Sequence, residues 1–190
     1  MAKQTDSLLN RITARADIAL ALGVIAIILS LAVPSVSSIV KDNRLAAKIN
    51  AVVSDLHLAR SEAVKRDVRV ILCRSADPNL AVPTCGGNDR DWTTGYLVFT
   101  GEDGNNTYQA GTDTLLGRGQ PAPQGVQLHN SSSWNNNLEI NPNGSLNEGG
   151  IAIMALCDDR KEAHGRQITI RLTGMPKMSS GPIDNCSPTG

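Results

Sequence analysis

Ile18-Ala-Leu-Ala-Leu-Gly-Val-Ile-Ala-Ile-Ile-Leu-Ser-Leu-Ala-Val-Pro-Ser-Val-Ser-Ser-Ile-Val40 holds no charged side chain, and Ile18 to Val33 is almost purely Ile, Leu, Val and Ala. As a helix the run extends about 34 Å at about 1.5 Å per residue, against a hydrocarbon core of about 30 Å. A cleaved secretory signal needs a shorter apolar region and a small-x-small exit, and nothing between Ser30 and Ser38 reads as a convincing cleavage site. A buried core helix carries a polar stripe, and this run has none beyond Ser30 near its end. The run therefore reads as a membrane helix, where the kink of Pro34 is tolerated. Lys3, Arg11 and Arg15 precede it and Lys41, Arg44 and Lys48 follow it, so the flanking charge sets no orientation.

Working outward, the helical pattern continues past the run. Leu45, Ile49, Val52, Leu56, Ala59 and Ala63 recur at alternating intervals of three and four, a seam on one helix face. Arg44, Lys48, Asp55, Arg60 and Lys65 lie between them and are expected to face water or another surface. A seam under three heptads is short for a free coiled coil, so it is expected to pack on the protein's own globular part. One helix from Asp17 to Arg66 would be about 75 Å long, half of it in lipid.

After Arg66 the period changes. Asp67–Cys73 and Gly95–Thr100 have the β-branched and aromatic content of strands, and Val126–His129, Leu138–Ile140, Gly150–Cys157 and Gln167–Thr173 are further candidates. Turn-rich pieces separate them: Asp77-Pro78, Cys85-Gly-Gly-Asn88, Glu102-Asp-Gly-Asn-Asn106 and Asn141-Pro-Asn-Gly144. Asn130–Asn137 reads as a polar loop and Ser179–Gly190 as a surface tail. The expected fold class is α+β: a long N-terminal helix, half membrane and half amphipathic, packed on an antiparallel β-sheet head. The division is 1–16 leader-like segment, 17–40 transmembrane helix, 41–66 amphipathic helix and 67–190 β domain.

The 190 residues carry 18 basic and 18 acidic side chains, so nothing global attracts nucleic acid or an anionic membrane surface. The distribution is uneven: 1–40 sums to +1, 41–74 to +4 and 75–190 to −5. Cys73, Cys85, Cys157 and Cys186 all lie beyond the apolar run and contain no C-x-x-C pair, which disfavours zinc. Three disulfide connectivities exist; closeness along the chain favours Cys73–Cys85 and Cys157–Cys186. Paired cysteines on a membrane-anchored β domain belong outside the cytoplasm.

The chain lacks G-x-S-x-G, H-E-x-x-H, a P-loop and a dinucleotide-binding glycine pattern. His57, His129 and His164 are scattered. Asp158, Asp159, Glu162 and His164 sit in a charged loop with Arg160 and Lys161, where solvation is favoured over metal binding. Glu102–Asn105 lacks the alternating oxygen ligands of a calcium loop and reads as a hairpin turn. The sequence predicts no enzyme, no cofactor and no catalytic or metal-ligating residue.

In this order, the apolar run ending in Leu31-Ala-Val-Pro-Ser35, the segment Leu58-Ala-Arg-Ser-Glu-Ala-Val-Lys-Arg66, a strand ending in Cys73, then Cys85 and Trp92-Thr-Thr-Gly-Tyr-Leu-Val-Phe99 resemble the FimT/GspH family of minor type IV pilins and type II secretion pseudopilins. The resemblance covers about residues 13–186, and the cysteine arrangement is more similar to the FimT side. It implies an inner-membrane anchor, a periplasmic head and assembly with other pilins through the N-terminal helix. It further implies cleavage by a prepilin peptidase followed by N-methylation; alignment on Pro34 places the processing site at Ile12 and Thr13, where the family has glycine and phenylalanine. The family's glutamate falls on Asp17, the expected assembly carboxylate, which would neutralise a neighbour's N-terminal amine. FimT-like pilins are associated with DNA capture in natural transformation through a G-R-x-R loop; Gly174-Met-Pro-Lys177 corresponds here and keeps one cation. Arg166, Arg171 and Lys177 are the candidate DNA contacts, with exposed strand-edge charge as the favoured reading. Two alternatives stand beside the FimT-like pilin: a GspH-like pseudopilin of a secretion system, and an unrelated membrane-anchored periplasmic β domain.

Overall fold

The structure is a computed structural model that describes residues 2–87, 90–130, 137–147, 150–160, 164–181, 183 and 186, and for 2–22, 26, 28–36 and 180 the backbone alone. Helix α1 spans Ala2–Arg66, 65 residues, and runs through Pro34. It begins well before Asp17, where the apolar pattern alone placed its start. The chain divides into two units, Met1–Lys41 and Asp42–Gly190. In the first, the described side chains Val24, Ile25, Ile27, Ile39 and Val40 are exposed. Among the described residues no helix is long and apolar enough to cross a membrane. Most side chains of the Ile18–Val40 run lie outside the described residues, as do those of Ile12, Thr13 and Asp17.

The second unit opens with the last turns of α1. Leu45, Ile49, Val52, Leu56, Ala59 and Ala63 are all at most 2% exposed, so the seam packs inside the protein's own head rather than on a partner helix. Ala59 and Ala63 allow close approach at the end of the seam, where larger residues would hold the sheets off. Asp67 then adopts φ 56°, and Val68 N–H donates to Ala63 O at 3.3 Å. This is a Schellman-type stop with an aspartate in the left-handed position usually held by glycine.

Among the described residues eight strands follow in two antiparallel sheets. The first has the order β3-β2-β1-β5, from β1 (Val70–Arg74), β2 (Tyr96–Thr100), β3 (Leu115–Gly119) and β5 (Asn137–Ile140). The second has the order β4-β6-β7-β8, from β4 (Gln127–Asn130), β6 (Ala152–Cys157), β7 (Arg166–Ile170) and β8 (Pro176–Ser180). The sequence pattern missed β3, whose Leu-Leu-Gly-Arg-Gly lacks β-branched residues, and β8, which begins at a proline. It also ran β7 on to Thr173, whereas Gly174 N–H donates to Arg171 O and closes a turn there. Ser179 and Ser180, expected in the tail, complete β8.

Strand alternation explains why β1 and β2 have no exposed face. Val70, Leu72, Tyr96 and Val98 point into the main core with the α1 seam. Ile71, Cys73, Leu97 and Phe99 point the other way into a second cluster that Cys85, Tyr108 and Leu115 close over. The β2–β3 connection supplying Tyr108 is much longer than the hairpin turn expected of Glu102–Asn105.

Candidate functional site

Among the junctions that fix the helix to the head are those of Lys48, Asp55 and Arg60, polar residues that the seam pattern left facing water. Lys48 is one position before Ile49 and is 6% exposed. Its Nζ donates to Gln120 O and lies 5.3 Å from the centroid of the Tyr96 ring. Burial pushes its amine down to about 8, partly offset by the charge of Asp55. The Tyr96 hydroxyl donates to Asp55 Oδ2 at 2.6 Å; burial and the neighbouring carboxylate hold that phenol well above its ordinary value. At the end of the helix Arg60 Nε donates to Gly144 O and Thr173 O, both at 3.2 Å, joining α1 to the turn after β5 and to the β7–β8 turn. A stripe wider than the strict seam, counting i+3 and i+4 neighbours of each apolar position, places Lys48 and Asp55 at its edge.

Two disulfides tie strands to loops: Cys73 to Cys85, twelve residues apart, and Cys157 to Cys186, twenty-nine apart. The first holds the second cluster shut, with Tyr108 N–H donating to Cys85 Sγ at 3.3 Å. The second joins the tail to the end of β6, and Ile183 is buried on the way. Arg160 donates to both Asp158 and Asp42, at 2.7 and 2.8 Å from Nη2, so the charged loop after β6 is latched to α1. Those carboxylates hold the guanidinium above its ordinary range. Among the described residues no three His, Cys, Asp or Glu side chains group to hold a metal ion.

The three candidate DNA contacts do not share a face. Arg166 lies on the same side of β7 as Ile168 and Ile170, which are fully buried, and its Nε is itself buried. Lys177 pairs with Thr169 in register, so it stands on the opposite face and is exposed. Arg171 is exposed in the turn, with its N–H donating to Met175 O at 3.3 Å. Arg171 and Lys177 are thus diagonal neighbours on the outer face, about 7–8 Å apart at the backbone, while Arg166 is turned away from them.

Residues 48–174 match the family model described as type II transport protein GspH. The chain belongs to the GspH family. Apart from Leu45, its helix seam and both clusters fall inside the matched span, as do strands β1 to β7, and β8 follows it. Among solved structures, the type IV minor pilin FimU of Pseudomonas aeruginosa is similar at TM-score 0.56 and 19% identity, covering 77% of this chain and 98% of that one. The minor pseudopilin EpsH of Vibrio cholerae is similar at TM-score 0.47 and 14% identity, covering 70% and 96%. Comparison with curated protein sequences finds no match. At such identity the FimU likeness establishes the fold: an α+β pilin-like head of a helix on antiparallel sheets.

Proposed function

We propose that this GspH-family protein is a minor pilin-type subunit that joins or primes a type IV pilus, held before assembly in the bacterial inner membrane with its head in the periplasm. The observation that supports the reading is α1. A single helical element carries both the uncharged Ile18–Val40 run and the seam that builds the head core. The head is therefore built around the same helix that the apolar run continues. On assembly the run exchanges lipid for equivalent helices, one dry environment for another. A carboxylate in that setting is costly unless a cation meets it, so Asp17 would fix register by pairing with a neighbouring chain's N-terminal amine. Partners on this reading are other pilins and the inner membrane. Prepilin peptidase cutting between Ile12 and Thr13, with N-methylation of the new terminus, belongs to it.

The test is recovery from the native cell. The full-length gene product and Asp17→Ala are compared in the sheared filament fraction and in the membrane, with intact mass on each. We expect wild type in filaments, about twelve residues shorter and methylated, and Asp17→Ala retained in the membrane with a folded head. Recovery in a protein-secretion pseudopilus instead would select the secretion-system alternative. A full-length mass with no filament partner would leave a membrane-anchored periplasmic β domain. A role in DNA uptake has narrower support. Only Arg171 and Lys177 share a face, enough for a few phosphate contacts whose affinity would fall steeply with salt. Retention of duplex DNA by the whole protein at moderate salt is the observation it requires.

A further inference from the structure

The two sheets have four edges, and the chain treats them differently. Along β4, Trp92 N–H donates to Leu128 O and Asn130 N–H to Arg90 O, so the segment Arg90–Trp92 covers that edge. Along β5, Asn147 N–H donates to Glu139 O and Asn141 N–H to Ser145 O, so the returning chain covers that one too. The edge strand β3 is broken in register opposite Val98 and Phe99, a device that blunts an edge. Strand β8 has neither. Its five residues pair with β7 in unbroken register from Ile170↔Pro176 to Arg166↔Ser180. Among the described residues no main-chain bond reaches its other side.

The register also says which groups face that open side. Arg171 N–H donates to Met175 O, so that pair is bonded; by antiparallel alternation Ile170/Pro176 is non-bonded, Thr169/Lys177 bonded and Ile168/Met178 non-bonded. The N–H and C=O of Met178 and Ser180, and the C=O of Pro176, therefore point outward. Proline stands at a position whose missing N–H costs β7 nothing. The side chains sort by face. Met178 is 48% exposed on the side of Ile168, and Met175 and Leu172 are 46% and 54% exposed at the adjoining turn. Lys177 stands on the other face, with Arg171 diagonal to it. Neither cation has an ion pair among the described residues.

We propose that β8 is a docking edge for an extended segment of a partner protein with acidic residues at alternate positions. Such a strand would take main-chain bonds from Met178 and Ser180, lay its apolar side chains on Met178, and set its carboxylates beside Lys177 and Arg171. This is strand addition with a two-faced code. A second copy of this chain fits worse, because antiparallel self-pairing brings the cationic faces of both β8 strands together. The edge is remote in sequence from the run and from Asp17, so its failure would leave the assembly reading standing.

The probe is a fluorescein-labelled Glu-Val-Glu-Val-Glu-Val-Glu peptide, added to the full-length protein in detergent micelles at low salt and followed by anisotropy, with Lys-Val-Lys-Val-Lys-Val-Lys as control. We expect saturable binding of the acidic peptide only, slowed amide exchange at Met178 and Ser180, and affinity about three- to tenfold weaker in Lys177→Glu. Met178→Pro, which removes an outward N–H, should abolish binding, and an unchanged circular-dichroism melt would show the head intact. Equal binding by Lys177→Glu, absence of protection at Met178, or no binding at all would overturn the proposal. So would tight binding of a labelled oligothymidine that displaces the peptide, which would make the edge a nucleic-acid surface.

Discussion

The Tyr96 hydroxyl in β2 and the Asp55 carboxylate in α1 meet at 2.6 Å in the main seam between helix and sheet. The contact fixes rotation and translation of the helix together, because apolar contacts around it are non-directional whereas a charge-assisted hydrogen bond is not. Tyr96→Phe keeps the ring and its packing against Trp92, whose centroid lies 5.8 Å away, and removes only the donor. Asp55 is half-buried and can recover part of its solvation, so the expected loss is about 1–2 kcal/mol in urea unfolding. A loss under about 0.3 kcal/mol would mean that packing alone sets the helix position.

Gly119 pairs directly with Tyr96 in the β2–β3 register, and the tyrosine ring lies across it. A Cβ on Gly119 would sit 2.2 Å from Tyr96 Cζ, a distance that neither strand can relieve without moving the ring off Asp55. Gly119→Ala should therefore destabilise by about 1–3 kcal/mol or more, although alanine ordinarily favours folding over glycine. In the background of Tyr96→Ala the cost should vanish, and a double-mutant cycle measures the coupling.

Lys48 makes stability depend on pH in a sense opposite to a paired lysine. Its folded value is lowered to about 8 from 10.5, so between those limits the unfolded chain holds more protons and stability rises with pH. Below pH 8 the folded protein carries the full desolvation cost. Comparing wild type with Lys48→Met, wild type should gain about 2 kcal/mol relative to the variant between pH 8 and pH 10. The window runs to about pH 10.5; the raised Tyr96 phenol, which acts in the opposite direction above pH 10, is common to both proteins. A constant difference between the two proteins across the window would show that the amine is solvated in the folded state.

The elements legible in sequence were those whose pattern is set by one uniform environment. The six seam residues from Leu45 to Ala63 and the strands around Ile71 and Val98 each bury a regular series of side chains, so period alone finds them. Strand β3 was hidden because it lacks β-branched residues and because glycine at position 119 is dictated by a neighbour across space, the Tyr96 ring. Strand β8 was hidden because an edge strand tolerates proline and needs no buried run. Lys48 looked like a solvated charge because a sequence shows the amine but not the Tyr96 ring and the Gln120 carbonyl that receive it. For the same reason Arg166, Arg171 and Lys177 could be grouped by type along the chain, while strand parity separates Arg166 from the other two.

Arg60 joins three parts of the head that are far apart in sequence. Its Nε reaches Gly144 O and Thr173 O at 3.2 Å, and around it the two turns touch: a Cβ on Gly174, at φ +70°, would lie 2.2 Å from Gly144 O. Gly174 is thus required both for its backbone conformation and for the space beneath it, and Arg60 supplies the donor that draws both carbonyls toward α1. Arg60→Ala leaves the exposed Thr173 O to solvent and uncovers the part-buried Gly144 O, so the global cost should be modest, about 1–2 kcal/mol. The local effect should be larger. Amide exchange at Gly174 and Met175 should accelerate about tenfold or more while that of Val70 and Leu72 changes only by the global amount. Arg60→Lys should recover little of this, because one ammonium on a flexible stem lacks the planar donor fork. Uniform acceleration across the head would show instead that the three-way contact is part of the cooperative core and that the β7–β8 turn has no separate anchor.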